Sequence, residues 1–122
     1  MPDATKTRRV LVVDDDLDTV QSMALLLRGS GHEVQFAING IAALYVAEKF
    51  HPEVVLLDLG LPDGDGADLA RKIRRSPELK RARVIAITGK GEAHRSRALD
   101  AGCDEFVVKP LDPRLLDELV EK

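Results

Sequence analysis

The sequence predicts a doubly wound α/β domain, a parallel β-sheet covered by helices on both faces. The apolar runs RVLVVD (9–14), EVVLLD (53–58) and RVIAIT (83–88) are rich in β-branched residues and do not alternate with polar ones. Such runs mark strands buried on both faces. Helical patterns separate the runs, and strict alternation of strand and helix is the signature of a parallel sheet packed between two helical layers.

Residues 1–8 read as a loose tail, and residues 9–122 as one domain. After the first strand, Leu17, Val20, Ala24 and Leu27 share one helical face, and GSGH (29–32) ends that helix. A weaker strand fits EVQFA (33–37). Asn39 is a candidate N-cap for a second helix whose pattern runs through Ile41, Leu44, Tyr45 and Glu48. The third strand is the run 53–58. Leu69, Ala70 and Ile73 mark a third helix that stops before Pro77, and the run 83–88 is the fourth strand. Residues 91–101 form a fourth helix with a thin apolar face (Ala93, Ala98, Leu99), ending at Gly102. EFVVK (105–109) is the fifth strand. The last helix begins with Asp112 as cap and Pro113 as first helical residue, with Leu115, Leu116, Leu119 and Val120 facing inward.

Composition narrows the function classes. The 122 residues are 44% apolar and 32% charged, enough for one soluble domain with a core. With three Phe, one Tyr and no Trp, aliphatic residues must fill that core. A formal charge of −3 gives no pull towards nucleic acid or membrane. The basic stretch RKIRRSPELKRAR (71–83) lacks a docking element or stacking aromatics, so it reads as a solvated face and loop. Cys103 is alone, which excludes an internal disulfide and reads as a bystander in a loop. His32, His51 and His94 lack metal-ligand spacing and read as surface residues, and Tyr45 as packing. No stretch approaches the roughly 20 apolar residues of a membrane span, and MPDATKTRR lacks the apolar centre of a signal peptide. The expectation is a cytoplasmic protein.

The chemistry collects at the strand ends. In a doubly wound sheet, sites form beyond the carboxyl ends of the strands. The first strand delivers Asp14 and Asp15, the third ends on Asp58, the fourth on Thr88 and the fifth on Lys109. Three carboxylates brought together cannot all stay ionised without a cation. Lys109 supplies one charge, and a hard divalent ion such as Mg²⁺ would supply two more. With that charge balanced, an aspartate oxygen can attack a phosphoryl group, a transfer that depends mostly on positioning and neutralisation. Asp16 and Asp18 fit a plainer role at the start of the following helix.

These landmarks, VVDDD, LLDLGLPDGDG, IAITG and FVVKP, resemble in order and spacing the receiver domain of two-component response regulators, CheY-like proteins of the flavodoxin-like fold. The resemblance spans residues 9 to about 121 and implies a five-stranded sheet in the order 2-1-3-4-5 with five helices. It implies that Asp58 is the phosphoacceptor, that Asp15 ligates Mg²⁺ directly and Asp14 mainly through water, and that the Gly60 backbone carbonyl is a further ligand. Thr88 would hydrogen-bond the phosphoryl group, and Lys109 would pair with it, through a cis bond to Pro110. Phe106 would occupy the family's aromatic switch position and turn inward as Thr88 moves. The implied result is a changed face on the fourth helix, fifth strand and last helix. The implied partners are a histidine kinase or histidine phosphotransfer domain and a downstream protein or output domain, with room for a phosphorylation-dependent dimer. Such a domain catalyses its own modification but has no turnover substrate. It is either a stand-alone regulator or part of a larger protein. Gly60 and Lys90, two residues beyond Asp58 and Thr88, are expected to affect phosphate lifetime.

Other acidic motifs fit less well. Asp14, Asp16 and Asp18 imitate the start of an EF-hand loop, but Thr19 replaces the sixth-position glycine and Leu25 the twelfth-position glutamate. DLDTV (16–20) resembles the nucleophile motif of haloacid-dehalogenase-type phosphatases, which need a later acidic pair after their lysine. A flavin mononucleotide site would carry hydroxyl and glycine phosphate ligands where this chain has four aspartates. A receiver-like module that signals without phosphorylation would not need all five rim residues.

Overall fold

A computed structural model describes residues 7–61, 66–89 and 94–121. Its elements alternate without exception: β1 (Arg9–Val13), α1 (Leu17–Gly29), β2 (Glu33–Ala37), α2 (Gly40–Phe50), β3 (Val54–Asp58), α3 (Gly66–Arg75), β4 (Arg83–Thr88), α4 (Arg95–Asp100), β5 (Glu105–Val108) and α5 (Pro113–Glu121). The strands form one parallel sheet in the order β2-β1-β3-β4-β5. This is the order the resemblance implied. All five strands lie where the sequence placed them, to within one residue at each end.

Successive strand residues face opposite sides of the sheet, and both sides are apolar. Leu11, Val13, Val55, Leu57, Val84 and Ala86 pack beneath the helices α2, α3 and α4. Val10, Val12, Val54, Leu56, Ile85 and Ile87 pack against α1 and α5. Unalternating runs are the one-dimensional trace of this two-sided burial.

The helix faces match less evenly. On α3, Leu69, Ala70 and Ile73 are buried as expected. On α1, Val20, Ala24 and Leu27 are buried, whereas Leu17 sits at the exposed first turn. On α5, Asp112 caps by accepting the Arg114 N–H (2.9 Å). Leu116 and Val120 are buried there, and Leu115 faces solvent. On α4 only Ala98 is buried, Leu99 is half-exposed, and residues 91–93 lie outside the described residues. The largest correction is on α2. Asn39 caps it by accepting the Ala42 N–H (2.8 Å), but the buried residues are Ala43 and Ala47, while Ile41 is 77% and Tyr45 63% exposed. Small side chains let the helix lie close to the sheet, Leu44 and Val46 flank them half-buried against the core, and Ile41 and Tyr45 turn outward.

Three residues read as peripheral prove structural. His32 is not at the surface: its side chain is fully buried, and Nδ1 accepts the Arg8 backbone N–H (3.0 Å). Arg74, in the basic stretch, donates to the carbonyls of Gly102 (2.8 Å), Lys80 (2.8 Å) and Ala82 (2.6 Å), and pairs with Asp104. Gly102 accommodates that side chain because it has φ +101° and no Cβ, which would meet Arg74 Cγ at 2.7 Å. Cys103 is buried, and burial pushes its thiol up to about 11, against the nearby charge of Arg74 and with that of Asp104. Since the thiolate is the nucleophile, a disulfide reagent such as dithionitrobenzoate at pH 8 should label the native protein slowly and the urea-unfolded protein at once. Equal rates would show that the thiol is accessible in the fold.

Candidate functional site

Strand register builds the site. Val13 pairs with Leu57, so the next residues, Asp14 and Asp58, leave adjacent strands side by side. Asp58 pairs with Ile87, which places Thr88 at the same rim, and the Lys109 N–H donates to the Thr88 carbonyl at 2.8 Å. The polar ends of four apolar strands therefore meet at one edge, between the helices that follow them.

Carboxylate oxygens of Asp14, Asp15 and Asp58 all lie within 4.8 Å of one another. At that spacing each pair repels by about 3–4 kcal/mol for an effective dielectric constant of about 20. Lys109 offsets part of this. Its Nζ lies 2.7 Å from Asp14 Oδ2 and 3.6 Å from Asp58 Oδ2. Burial alone would lower the Lys109 pKa, but the hydrogen bond it donates to Asp14 and the charges of Asp58 and Asp14 outweigh it, leaving it above the ordinary 10.5.

Backbone groups hold the carboxylates in place. Asp14 is 4% exposed, and its Oδ1 accepts the Asp16 N–H (3.0 Å). Asp58 Oδ1 accepts the Gly60 N–H (3.0 Å). Asp15 is exposed and has no ion pair among the described residues. Thr88 is buried at the end of β4, and the Lys109–Pro110 bond is cis. Phe106 is buried on β5, with the Arg95 guanidinium 5.0 Å from its ring centre. Asp16 takes the N-cap position of α1, where its carboxylate accepts the Thr19 hydroxyl (2.7 Å) instead of a backbone N–H. Lys90 lies outside the described residues.

One contact was not legible in the sequence. The Gly66 N–H donates to the Leu59 carbonyl (2.9 Å), drawing the start of α3 against the strand end that bears Asp58. A Cβ on Gly66 would lie 2.6 Å from the Asp58 carbonyl oxygen and 2.6 Å from Leu59 Cα. The only hint in the sequence was a glycine closing GLPDGDG.

The donor set suits a particular class of ion. Among the described residues three carboxylates gather beside one lysine, and every donor is a hard oxygen, as Mg²⁺ and Mn²⁺ prefer. A second group, His32 with Asp117 and Glu121, is different. Because Nδ1 accepts the Arg8 N–H, the ring proton sits on Nε2, which faces the two carboxylates at 3.8 and 3.7 Å and is not a free ligand.

Residues 10–121 match the family model of the response regulator receiver domain. The chain belongs to that family. This receiver is 34% identical over 113 residues to the transcriptional regulatory protein ResD of Bacillus subtilis (strain 168), covering 92% of the present chain and 46% of ResD. It therefore spans about half the length of that relative. It superposes with a TM-score of 0.85 on a CheY-like response regulator receiver domain protein from Methanospirillum hungatei JF-1 (30% identity, 93% and 91% of the two chains). The receiver domain of the sensor histidine kinase PA1611 from Pseudomonas aeruginosa PAO1 gives 0.85 at 28% identity, covering 94% and 95% of the two chains. In that structure a magnesium ion is coordinated in the active-site cleft. Of the residues singled out in the sequence, the fold of this receiver brings Asp14, Asp15, Asp58 and Lys109 into one cluster, with Thr88 beside it.

Proposed function

We propose that this domain accepts a phosphoryl group on Asp58 from a histidine kinase or histidine phosphotransfer domain, in a Mg²⁺-dependent step. The observation that carries this reading is the cluster of three carboxylates beside Lys109 at the ends of β1, β3 and β5. Asp14, Asp15, Asp58 and the Gly60 carbonyl would hold the ion. When bound, Mg²⁺ would neutralise the carboxylates and the incoming phosphoryl oxygens.

The chain's own residues do the rest. An Asp58 carboxylate oxygen bonds to phosphorus as the phosphorus–nitrogen bond to the donor histidine breaks, and the electron pair leaves with the imidazole. Lys109 moves its charge from Asp14 and Asp58 to a phosphoryl oxygen, and the Thr88 hydroxyl donates to another. The movement of Thr88 is sensed by Phe106, two register positions behind it on the neighbouring strand, and biases an equilibrium between two packings. Leu99, Val108 and Leu115 are exposed on α4, β5 and α5. They supply apolar area for a downstream protein, an output domain or a second copy on that face. The domain has no turnover substrate. No helix among the described residues is long and apolar enough to cross a membrane, and the reading implies work in the cytoplasm.

Intact-protein mass after incubation with acetyl phosphate tests the assignment. One phosphoryl adduct is expected with Mg²⁺, little without it, and none in Asp58→Asn. An adduct retained by Asp58→Asn, or none on folded wild-type protein with Mg²⁺ bound, would overturn it.

A further inference from the structure

We propose that Arg95 clamps Phe106 in its buried position and thereby sets how much of the domain rests in the switched packing before any phosphoryl group arrives. The proposal rests on the reading of Phe106 as the switch, and it adds the residue that biases it.

The contact joins two elements. Arg95 is the first residue of α4, and Phe106 lies on β5, opposite Ala86 of β4. The guanidinium stands 5.0 Å from the ring centre, inside the roughly 6 Å at which a cation is drawn to an aromatic face. The ring is only 9% exposed. Phenylalanine has no hydroxyl with which to hold a buried position by hydrogen bonding. The guanidinium supplies that missing anchor through the ring face. Outward rotation takes the ring from beneath the cation, so the contact favours one rotamer over the other.

The helix that carries Arg95 magnifies the effect. It has six residues, of which only Ala98 is buried, and Leu99 turns to solvent. A segment with so few apolar contacts opens and shifts at low cost, so one side-chain contact weighs heavily in where it rests. A ligand or contact moves an equilibrium by its difference between the two states. For a partly exposed cation–ring pair, that difference amounts to about a two- to fivefold change in population.

Fluorine NMR of protein containing 4-fluorophenylalanine tests this on the ring itself. The Phe106 signal is identified by its loss in Phe106→Leu, leaving those of Phe36 and Phe50. In the wild type it should be shielded from a soluble paramagnetic agent. Arg95→Ala should raise the exposed population about two- to fivefold, and Arg95→Lys, which keeps a cation on a thinner head, should fall between. Alanine favours helix, so the variant should fold, and a thermal melt checks it. Equal shielding in wild type, Arg95→Ala and Arg95→Lys would overturn the clamp. If acetyl phosphate forms the Asp58 adduct in Arg95→Ala yet leaves the exposed Phe106 population of that variant unchanged, the switch reading fails and takes the regulatory role of Arg95 with it. The clamp is read from shielding before acetyl phosphate is added and the switch from the change after it, so the two failures are distinct.

Discussion

Lys109→Met should lower stability by about 2 kcal/mol and slow phosphoryl uptake by about 10²–10³-fold. The ammonium lies 2.7 Å from a carboxylate of Asp14 that is almost fully buried, and 3.6 Å from Asp58. Breaking a wholly buried pair by removing one partner costs about 3–5 kcal/mol, and the discount here reflects the one-third exposure of Lys109. Methionine keeps the apolar stem, so the loss is of charge and not of packing. The kinetic loss follows from removing a preplaced charge aimed at the transferring group. Mg²⁺ should restore part of the stability, because it supplies charge to the same carboxylates. The pH dependence has a definite sign. A raised lysine pKa contributes stability that is fully present below the unfolded value near 10.5 and is lost as pH rises through the folded value. The gap between wild type and variant should therefore hold up to about pH 10 and close above it. Urea titrations with and without Mg²⁺, repeated at alkaline pH, check these points. A variant as stable as wild type without Mg²⁺ would show that the lysine does not balance the carboxylates.

Gly66→Ala should cost about 3 kcal/mol, the upper end for an overpacked methyl group, and should slow uptake on Asp58 by about 10²-fold. The new Cβ would meet the Asp58 carbonyl oxygen and Leu59 Cα, each at 2.6 Å. Both are backbone atoms, and neither can rotate aside. Relief requires the start of α3 or the end of β3 to move, and β3 carries Asp58, the proposed phosphoacceptor. Gly60→Ala is the control for stability, because its Cβ would meet only Asp58 Oδ1 at 3.8 Å, an ordinary contact. Thermal melts of both variants, with adduct formation followed by mass, separate the effects. Equal melting temperatures would mean that the α3–β3 approach is not tight.

The five strands and their polar ends were legible because two-sided burial leaves continuous apolar runs, and a strand's last residue is easily read from where its run stops. Helix faces were harder. In α2, GIAALYVAEKF is apolar nearly all round, so two stripes fit the helical period equally well. The stripe through Ile41 and Tyr45 looked stronger, but closeness to the sheet selected Ala43 and Ala47. His32 and Arg74 were misread for a related reason. Their partners, the Arg8 N–H for one and the Gly102 carbonyl for the other, lie 24 and 28 residues away. Backbone donors and acceptors leave no trace in residue type.

By itself the sequence determined the alternation of strands and helices, the two-sided burial of the central strands, and which polar residues meet at the rim. These follow from local pattern, since burial selects residue types along a strand and a strand end exposes the next polar group. Only the tertiary structure decided which carboxylate Lys109 approaches more closely, which face α2 buries, that Arg95 covers Phe106, and that Gly66 leaves no room for a methyl group. Each depends on the distance between segments far apart in the chain, and packing sets that distance after the strands have found their register.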